Sequence, residues 1–462
     1  MHEEGGIGLS NPFLSIVSLN NSWYEMTSIT FYGGVNEIGG NKILIEDEDS
    51  RILLDFGMSF TLRYQYYSIP FLSPKDENDL LEFGILPRLR GAYQFECDEP
   101  AIDAVFLSHS HLDHSAYISF LKREIPVYCG ETTATILRAY SEVHLPSLEF
   151  NIEGLRFNTF RTGDKVRIGS IEVEPIHVDH SVPGSYGFIV HTTSGAIIYT
   201  GDFRRHGSRP DLTEDFIGRS SESHPEALIC ESTNMASVEI SSEREVMEKI
   251  NNVVSRASGL VMANFSWADI DRLRSFYEAA EKNERSLVVT PKQAHLLNQL
   301  SGDPHLNVPK IDELLIFRRE KKRYYDWEKE IMDSAETIDS HEISGRQSEI
   351  ILVCSFYDLT ELTEIRPDAG SCYILSASEP FNEEMEMDYN RLINWLEHYG
   401  LPQFHIHVSG HITPLHLRES IMTIDPKLVF PIHGVHLDLF RRFMRDIRGE
   451  IITPEKDKRY RI

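Results

Sequence analysis

Four potential metal ligands, His109, His111, Asp113 and His114, fall within six residues of the stretch Phe106-Leu-Ser-His-Ser-His-Leu-Asp-His-Ser115. The apolar run Ala104-Val-Phe-Leu107 delivers them from what reads as a buried strand, and Ala116–Leu121 continues as a helical segment. Side chains at a strand end repeat every second residue, so His109 and His111 point the same way. Asp113 and His114, at the turn into the helix, are free to face a second point. Imidazole nitrogens and carboxylate oxygens divided in this way suit two adjacent divalent ions.

Other positions extend the set. In Ile176-His-Val-Asp-His-Ser-Val-Pro-Gly184 a strand gives way to a turn at His180, a third ligand for the first ion, whereas His177 lies within the strand and reads as structural. Asp202 follows the apolar strand Ala196-Ile-Ile-Tyr199 and a glycine, where a carboxylate can bridge cations roughly 3.5–4 Å apart. His433, at a strand end before Gly434, completes the second site. Asp55 closes the strand Ile52-Leu-Leu54 and is placed to orient a metal-bound histidine. His405, His407, His416 and His436 are less well placed for metal and read as mostly structural.

The elements that must position these residues are legible in outline. Ile43–Ile45 and Ile52–Phe56 flank Glu46–Arg51 as a hairpin. Residues 61–100 read as an irregular connection overhanging the metal cleft, followed by a β-rich run through Val173. From about 209, strand-like cores alternate with amphipathic helical patterns such as Glu243–Ala257 and Ile270–Lys282, which indicates a parallel α/β unit. Glu231 stands at the C-terminal end of the first of these strands, where open α/β sheets place ligands. The basic run Arg318-Arg-Glu-Lys-Lys-Arg-Tyr-Tyr325 reads equally as a track for a single strand or as a solvated helix face. The β-rich pattern returns after about 395. The expected division is therefore 1–208, 209–394 and 395–462.

At 462 residues the chain is too long for one ordinary core. The formal charge of −27 argues against non-specific binding of a polyanion, although a divalent metal pair and a locally basic channel can still engage phosphates. Five scattered cysteines without Cys-x-x-Cys spacing give neither a disulfide framework nor a thiolate zinc site, as in a cytoplasmic protein. Met1–Asn21 lacks the pattern of a signal peptide, and no apolar stretch of about 18 residues predicts a membrane span.

Taken together, these residues resemble the metallo-β-lactamase superfamily, more narrowly its β-CASP branch of nucleic-acid hydrolases, and within that the ribonuclease J family of the shorter archaeal type. Gly33-Gly-Val-Asn-Glu-Ile-Gly-Gly-Asn41 is similar to the family's opening signature. Asp55, the His109–His114 cluster, His180 and Asp202 match the four lactamase-type motifs. Glu231 in Glu-Ser-Thr-Asn, His411 in His-Val-Ser-Gly-His and His433 in Pro-Ile-His-Gly match the three β-CASP motifs.

The resemblance implies a fold of class α/β, an αββα metallo-β-lactamase sandwich with an inserted α/β β-CASP domain. It also implies two divalent ions, Zn2+ or Mn2+, and catalytic roles for Asp113, Asp202, Glu231 and His411. The implied activity is 5′→3′ exonucleolysis of single-stranded RNA, with preference for a 5′-monophosphate end. Ser266, Asp269 and the segment His407, Val408, Ser409, Gly410 and His411 would hold that end, although Phe265–Arg272 departs from the family's phosphate-contacting loop. A homodimer and partners in an RNA-decay complex belong to the same expectation. The alternatives are an endonuclease of the cleavage-factor type, a small-molecule metallo-hydrolase acting on thioesters, lactones or β-lactams, and a catalytically silent scaffold. The long α/β insertion argues against the small-molecule enzymes, and the complete ligand set against the scaffold.

Overall fold

The computed structural model describes residues 26–68, 71–236, 238–378 and 383–462; the Met1–Asn21 segment lies outside them. Six strands, β1 (Ser28–Gly33), β2 (Lys42–Asp47), β3 (Ser50–Phe56), β4 (Ala104–Phe106), β5 (Val127–Gly130) and β6 (Phe157–Phe160), lie side by side in chain order. β1 to β3 are antiparallel, with the β2–β3 hairpin turning at Glu48, and β3 to β6 are parallel. A second sheet is built from β7 (Val166–Ile168), β8 (Ile171–His177), β9 (Tyr186–Thr192), β10 (Gly195–Tyr199) and β11 (Ala227–Glu231).

The apolar runs in these strands are continuous because both faces of each sheet are buried. Ile43, Ile45, Ile52, Leu54 and Phe106 point inward and meet Val173, Phe188, Ile197, Tyr199 and Ile229 of the second sheet. The intervening Leu44, Leu53 and Val105 point outward under helices on one side, and Ile198, Leu228 and Cys230 do so on the other. Alternation with period two thus produces an αββα sandwich. Truncating one of the central residues, for instance Ile229→Ala, costs about 2–5 kcal/mol in such a core.

The third sheet contains β12 (Val261–Asn264), β13 (Ser286–Val289), β14 (Leu315–Phe317), β15 (Thr337–Ile338), β16 (Ile350–Val353), β17 (Cys372–Leu375) and β18 (Gln403–His405), in the order β15-β14-β13-β16-β12-β17-β18. All its pairings are parallel, and apolar clusters cover both faces. The chain then returns to the sandwich. β19 (Leu428–Ile432) pairs with β11, β20 (Glu450–Ile451) lies beyond it, and β21 (Arg459–Arg461) pairs with β1.

Several expectations are displaced. The texture change at 209 does not coincide with a change of sheet. The helix Pro210–Glu222 packs on the outer face of the second sheet through Phe216 and Ile217, and β11 belongs to that sheet, so the third sheet spans Val261 to His405. Residues 61–100 are not wholly irregular: they hold short helices at Phe60–Tyr66 and Glu77–Glu82, and Leu80, Ile85 and Leu86 build core. Ala116–Phe120 is a 3-10 turn. The basic run at 318–325 is neither a helix nor an open cationic track, since Arg318 pairs with Asp339, Arg319 with Asp358 and Glu361, and Lys321 with Glu328. Cys129, Cys230, Cys354 and Cys372 are buried free thiols and Cys97 is exposed. Among the described residues no helix is long and apolar enough to cross a membrane.

Candidate metal centre

The parallel strands β3 and β4 end at one edge of the sandwich, and their first residues beyond the sheet build the centre. Asp55 is in left-handed backbone, φ 56°, at the end of β3. Its Oδ2 accepts from Tyr199 Oη at 2.5 Å, Ser108 Oγ at 2.8 Å and His114 Nδ1 at 2.7 Å, while its Oδ1 accepts from Ser108 N at 2.7 Å. A carboxylate so loaded fixes the ring of His114 and leaves Nε2 as the bare nitrogen.

The same device recurs around the cluster. His109 Nδ1 donates to Ser108 Oγ at 3.0 Å, His180 Nδ1 to the Gly410 carbonyl at 2.6 Å, and His433 Nδ1 to Thr233 Oγ1 at 2.9 Å. With each Nδ1 proton committed, the Nε2 lone pairs face inward. His433 is held in left-handed backbone, φ 53°, with its N–H donating to the Gly34 carbonyl at 2.7 Å.

Facing atoms converge in two groups. His109 Nε2 and His180 Nε2 lie 3.0 and 3.2 Å from His111 Nδ1, and these three with Asp202 form one set of atoms within 4.8 Å of one another. Asp113, His114 and His433 form a second set. Asp202 Oδ2 stands between them, 3.2 Å from His114 Nε2, 3.6 Å from His433 Nε2 and 3.7 Å from His109 Nε2. All seven residues expected as ligands are therefore brought together, over as many as 433 − 109 = 324 positions of sequence.

Electrostatics match a cation site. Burial pushes His109 and His180 well below their usual range, and His111 down to about 4, so these imidazoles are neutral donors of lone pairs. Burial disfavours ionised Asp113 and Asp202, yet His114 and His433 outweigh it and hold both carboxyls below the usual carboxylate range. Burial likewise works against a charged His114, but Asp202, Asp113 and Asp55 draw its pKa well up. The buried atoms His114 Nε2 and Asp202 Oδ1 have no hydrogen-bond partner among the described residues. Leaving such atoms unsatisfied costs about 1–3 kcal/mol each, and a divalent cation satisfies both. Gly39 (φ +76°) passes so close that a Cβ there would lie 2.4 Å from Asp113 Oδ2, and one on Gly57 would collide with the Asp113 carbonyl. The donor set and its cradle are compatible with a divalent metal site.

Beside the cluster lies an acid–imidazole pair. Glu231 is 1% exposed; its Oε1 accepts from Phe203 N at 3.1 Å and Ile412 N at 3.3 Å, and its Oε2 is 3.1 Å from His411 Nδ1. Burial opposes the charged form of His411, but Glu231 and Asp202 prevail and raise it to about 9.

The residues expected at a substrate end are less uniform. Ser266 is exposed and His407 is half-buried. Asp269 is buried and caps the helix Ile270–Lys282 by accepting from Arg272 N at 3.0 Å; burial pushes its carboxyl up against the pull of Arg272. Val408 belongs to the core beneath the third sheet, so it offers only main-chain atoms. Ser409 Oγ accepts from Asn234 Nδ2 and from His411 N, both at 3.1 Å, and Gly410 holds His180. These positions support the metal centre more than they line a pocket. His177, read as structural, is bonded to Thr162 and packed on Tyr186 outside the ligand groups. Together with His180, Arg161, Arg209 and Arg274 it lines a cavity of about 610 Å³.

Sequence reasoning missed Tyr199, Ser108, Thr233 and Arg204. Arg204 is fully buried and binds Glu243 at 2.7 Å, Asp271 at 2.8 Å and Asp179 at 3.2 Å, and it also reaches the His180 carbonyl at 3.4 Å. The only signal was adjacency, since each of the four lies within three positions of a ligand or, for Thr233, of Glu231.

Residues 85–219 match the family model described as a Beta-lactamase superfamily domain. Over most of its length the chain is similar to curated proteins named ribonuclease J. That of Mycoplasma pneumoniae is 24% identical, over 92% of this chain and 69% of the relative. Ribonuclease J 2 of Streptococcus pyogenes is 25% identical over 88% and 69%, and ribonuclease J of Thermus thermophilus 26% over 87% and 67%. Residues 85–219 therefore carry a metallo-β-lactamase-type domain. A crystal structure of an Enterococcus faecalis protein of unknown function shares the fold, with TM-score 0.75 and 23% identity over 95% of this chain and all of that one.

Proposed function

We propose that this metallo-β-lactamase-fold protein is a metal-dependent ribonuclease that hydrolyses single-stranded RNA from the 5′ end and prefers a 5′-monophosphate. The observation that carries the hydrolase reading is the meeting of seven inward-facing ligands with the Glu231–His411 pair at a single edge. His109, His111 and His180 would hold one cation, Asp113, His114 and His433 the other, with Asp202 shared. The imidazole-rich set favours zinc and also accepts manganese. Divalent cations in such a cluster supply Lewis-acid activation of water and offset the charge that builds on a phosphoryl group.

The protein's own groups do the rest. Asp113, less deeply buried than Asp202, orients the attacking water in line with the departing 3′ oxygen. His411, kept protonated by Glu231, gives its proton to that oxygen, and the buried carboxylate keeps the ring charged and oriented. The cavity that His180 helps line has the volume to take a nucleotide, which supports the exonuclease reading. Ribonuclease J relatives supply the substrate class.

The test is purified protein, with and without chelator, on 5′-labelled RNAs of equal sequence carrying a 5′-monophosphate or a 5′-triphosphate. Labelled mononucleotide released first from the monophosphate RNA is expected. Labelled oligomers would make the enzyme an endonuclease, and hydrolysis that survives chelation would overturn the metal-dependent reading.

A further inference from the structure

Two histidines of the sandwich grip successive carbonyls of the segment that returns from the third sheet. His180 Nδ1 lies 2.6 Å from the Gly410 carbonyl, and His206 Nε2 lies 2.9 Å from the carbonyl of Ser409. A carbonyl only accepts, so both nitrogens carry the proton. The first contact aims a metal ligand. The second comes from a residue that is neither a ligand nor part of the Glu231–His411 pair.

His206 is itself firmly seated. It follows shortly after Asp202 and is 9% exposed. Its own carbonyl accepts from Glu243 N at 3.1 Å, at the start of the helix Glu243–Val254 in the inserted lobe. Gly207, next along, passes so close to Arg204 and Asp179 that a Cβ there would lie within 2.4 Å of both. Burial pushes the His206 imidazole down to about 4 although its bond to Ser409 opposes this, so the ring is a neutral donor.

The turn that His206 grips leads straight to the proton donor. Ser409 Oγ accepts from His411 N at 3.1 Å, Asn234 Nδ2 donates to the His411 carbonyl at 2.9 Å, and Ile412 N donates to Glu231 Oε1 at 3.3 Å. Gly410 has no side chain to restrain its backbone, and none fits: a Cβ would lie 2.7 Å from Ser181 Oγ and 2.9 Å from His180 Cε1. The peptide planes that carry the Ser409 and Gly410 carbonyls meet at the Gly410 Cα, so holding the first steadies the second. His206 also lines an apolar cavity of about 360 Å³ with Met235, Leu415, Leu439 and Phe443, walls that offer a replacement water few partners.

We propose that His206 is a positioning residue for the hydrolysis, an inference that rests on the ribonuclease reading above. By holding the Ser409 carbonyl it sets the Gly410 peptide, which aims His180 at the metal cluster and presents His411 beside Glu231. Groups that act on one scissile bond must keep a fixed separation, and here a single turn sets it. One imidazole outside both groups thus ties the first set of ligands to the proton donor.

The experiment compares full-length His206→Gln, whose amide nitrogen can stand where Nε2 stands, with His206→Asn, whose amide falls short of Ser409. Three quantities are read: urea unfolding, the affinity of metal-stripped protein for Co2+ followed by visible absorption, and kcat and KM on 5′-monophosphate RNA with Zn2+ or Mn2+. His206→Asn is expected to lower Co2+ affinity and kcat by about tenfold each, the lower end for groups that orient metal ligands, with KM within about twofold of wild type. His206→Gln should recover most of both. Co2+ affinity and kcat of His206→Asn within twofold of wild type overturn the proposal, as does equal impairment of the two variants. A fall in kcat that follows urea stability while Co2+ affinity holds overturns it too, since His206 would then serve the fold alone. Wild-type protein that cleaves no RNA with either metal defeats the ribonuclease reading, while the Co2+ affinities still uphold or overturn the aiming of His180.

Discussion

Replacing Arg204 tests whether the metal centre depends on how the inserted lobe is seated. The guanidinium is fully buried between Asp179 of the sandwich side and two residues of the inserted lobe, Glu243 on the helix Glu243–Val254 and Asp271 on the helix Ile270–Lys282. Arg204→Leu leaves two buried carboxylates, Asp179 and Glu243, and the partly buried Asp271 short of a partner, and breaking a buried ion pair in this way costs about 3–5 kcal/mol. The lower end is expected. Glu243 keeps Arg272 at 3.2 Å, Asp179 keeps the Arg209 N–H at 2.8 Å, and Asp271 keeps Ser208 at 2.7 Å and Arg274 at 3.1 Å.

The loss should depend on pH. Burial raises the Asp179 carboxyl even against Arg204, and without Arg204 it rises further. A carboxyl whose folded pKa lies above its unfolded value binds more protons when folded, so stability falls as pH rises through that window. The deficit in urea unfolding should therefore be larger at pH 8 than at pH 5. Arg204→Lys should sit between, since a point-like ammonium cannot bridge three carboxylates. Because Arg204 also reaches the His180 carbonyl, Co2+ or Zn2+ affinity should fall with stability. A loss under about 1 kcal/mol at pH 8 would refute the pinning role.

Three further outcomes follow from single contacts. Gly39→Ala places a methyl against Asp113 at a left-handed backbone position and should reduce metal content and activity together by at least tenfold, measured by metal analysis and RNA hydrolysis. Lys42 is buried and pushed down to about 7, so the unfolded chain binds more protons between about 7 and 10; stability should rise with pH there, and Lys42→Met should flatten that slope and stabilise the protein at pH 6, both read by urea unfolding. Glu231→Gln keeps the acceptor for Phe203 N and Ile412 N but removes the charge facing His411, worth about 1.5–3 kcal/mol, so kcat should drop roughly tenfold to a hundredfold with little change in fold, as seen by kinetics and circular dichroism.

What the sequence disclosed, and what it hid, follow from how far each contact reaches along the chain. The His109–His114 cluster is read within six residues because its geometry is set by one strand end and one helix start. β11 was assigned to the wrong neighbours because its apolar run looks alike in either parallel setting; only its pairing with β10 and β19, the latter some 200 residues on, distinguishes them. The basic run 318–325 reads as a cationic face because its carboxylate partners Asp339, Asp358 and Glu361 lie 21 to 42 positions away. Tyr199 and Thr233 carried no metal-ligand chemistry of their own. Their role appears only once Asp55 and His433 are beside them.

The supporting contacts also explain how ligands from distant parts of the chain can bring their facing atoms within 4.8 Å of one another in each group. Each inward Nε2 is aimed by a group on a different element: Asp55 from β3 for His114, Ser108 after β4 for His109, the Gly410 carbonyl after β18 for His180, and Thr233 after β11 for His433. Two of these aiming groups, Asp55 and Ser108, belong to the first sheet and are rigid with it. Gly410 instead leaves the third sheet, so the orientation of His180 is set by the inserted lobe even though His180 itself follows β8. The first group of ligands is therefore complete only when the two lobes are docked, held by Arg204 across to Asp271 and by Thr132 donating to Asp303 at 3.1 Å.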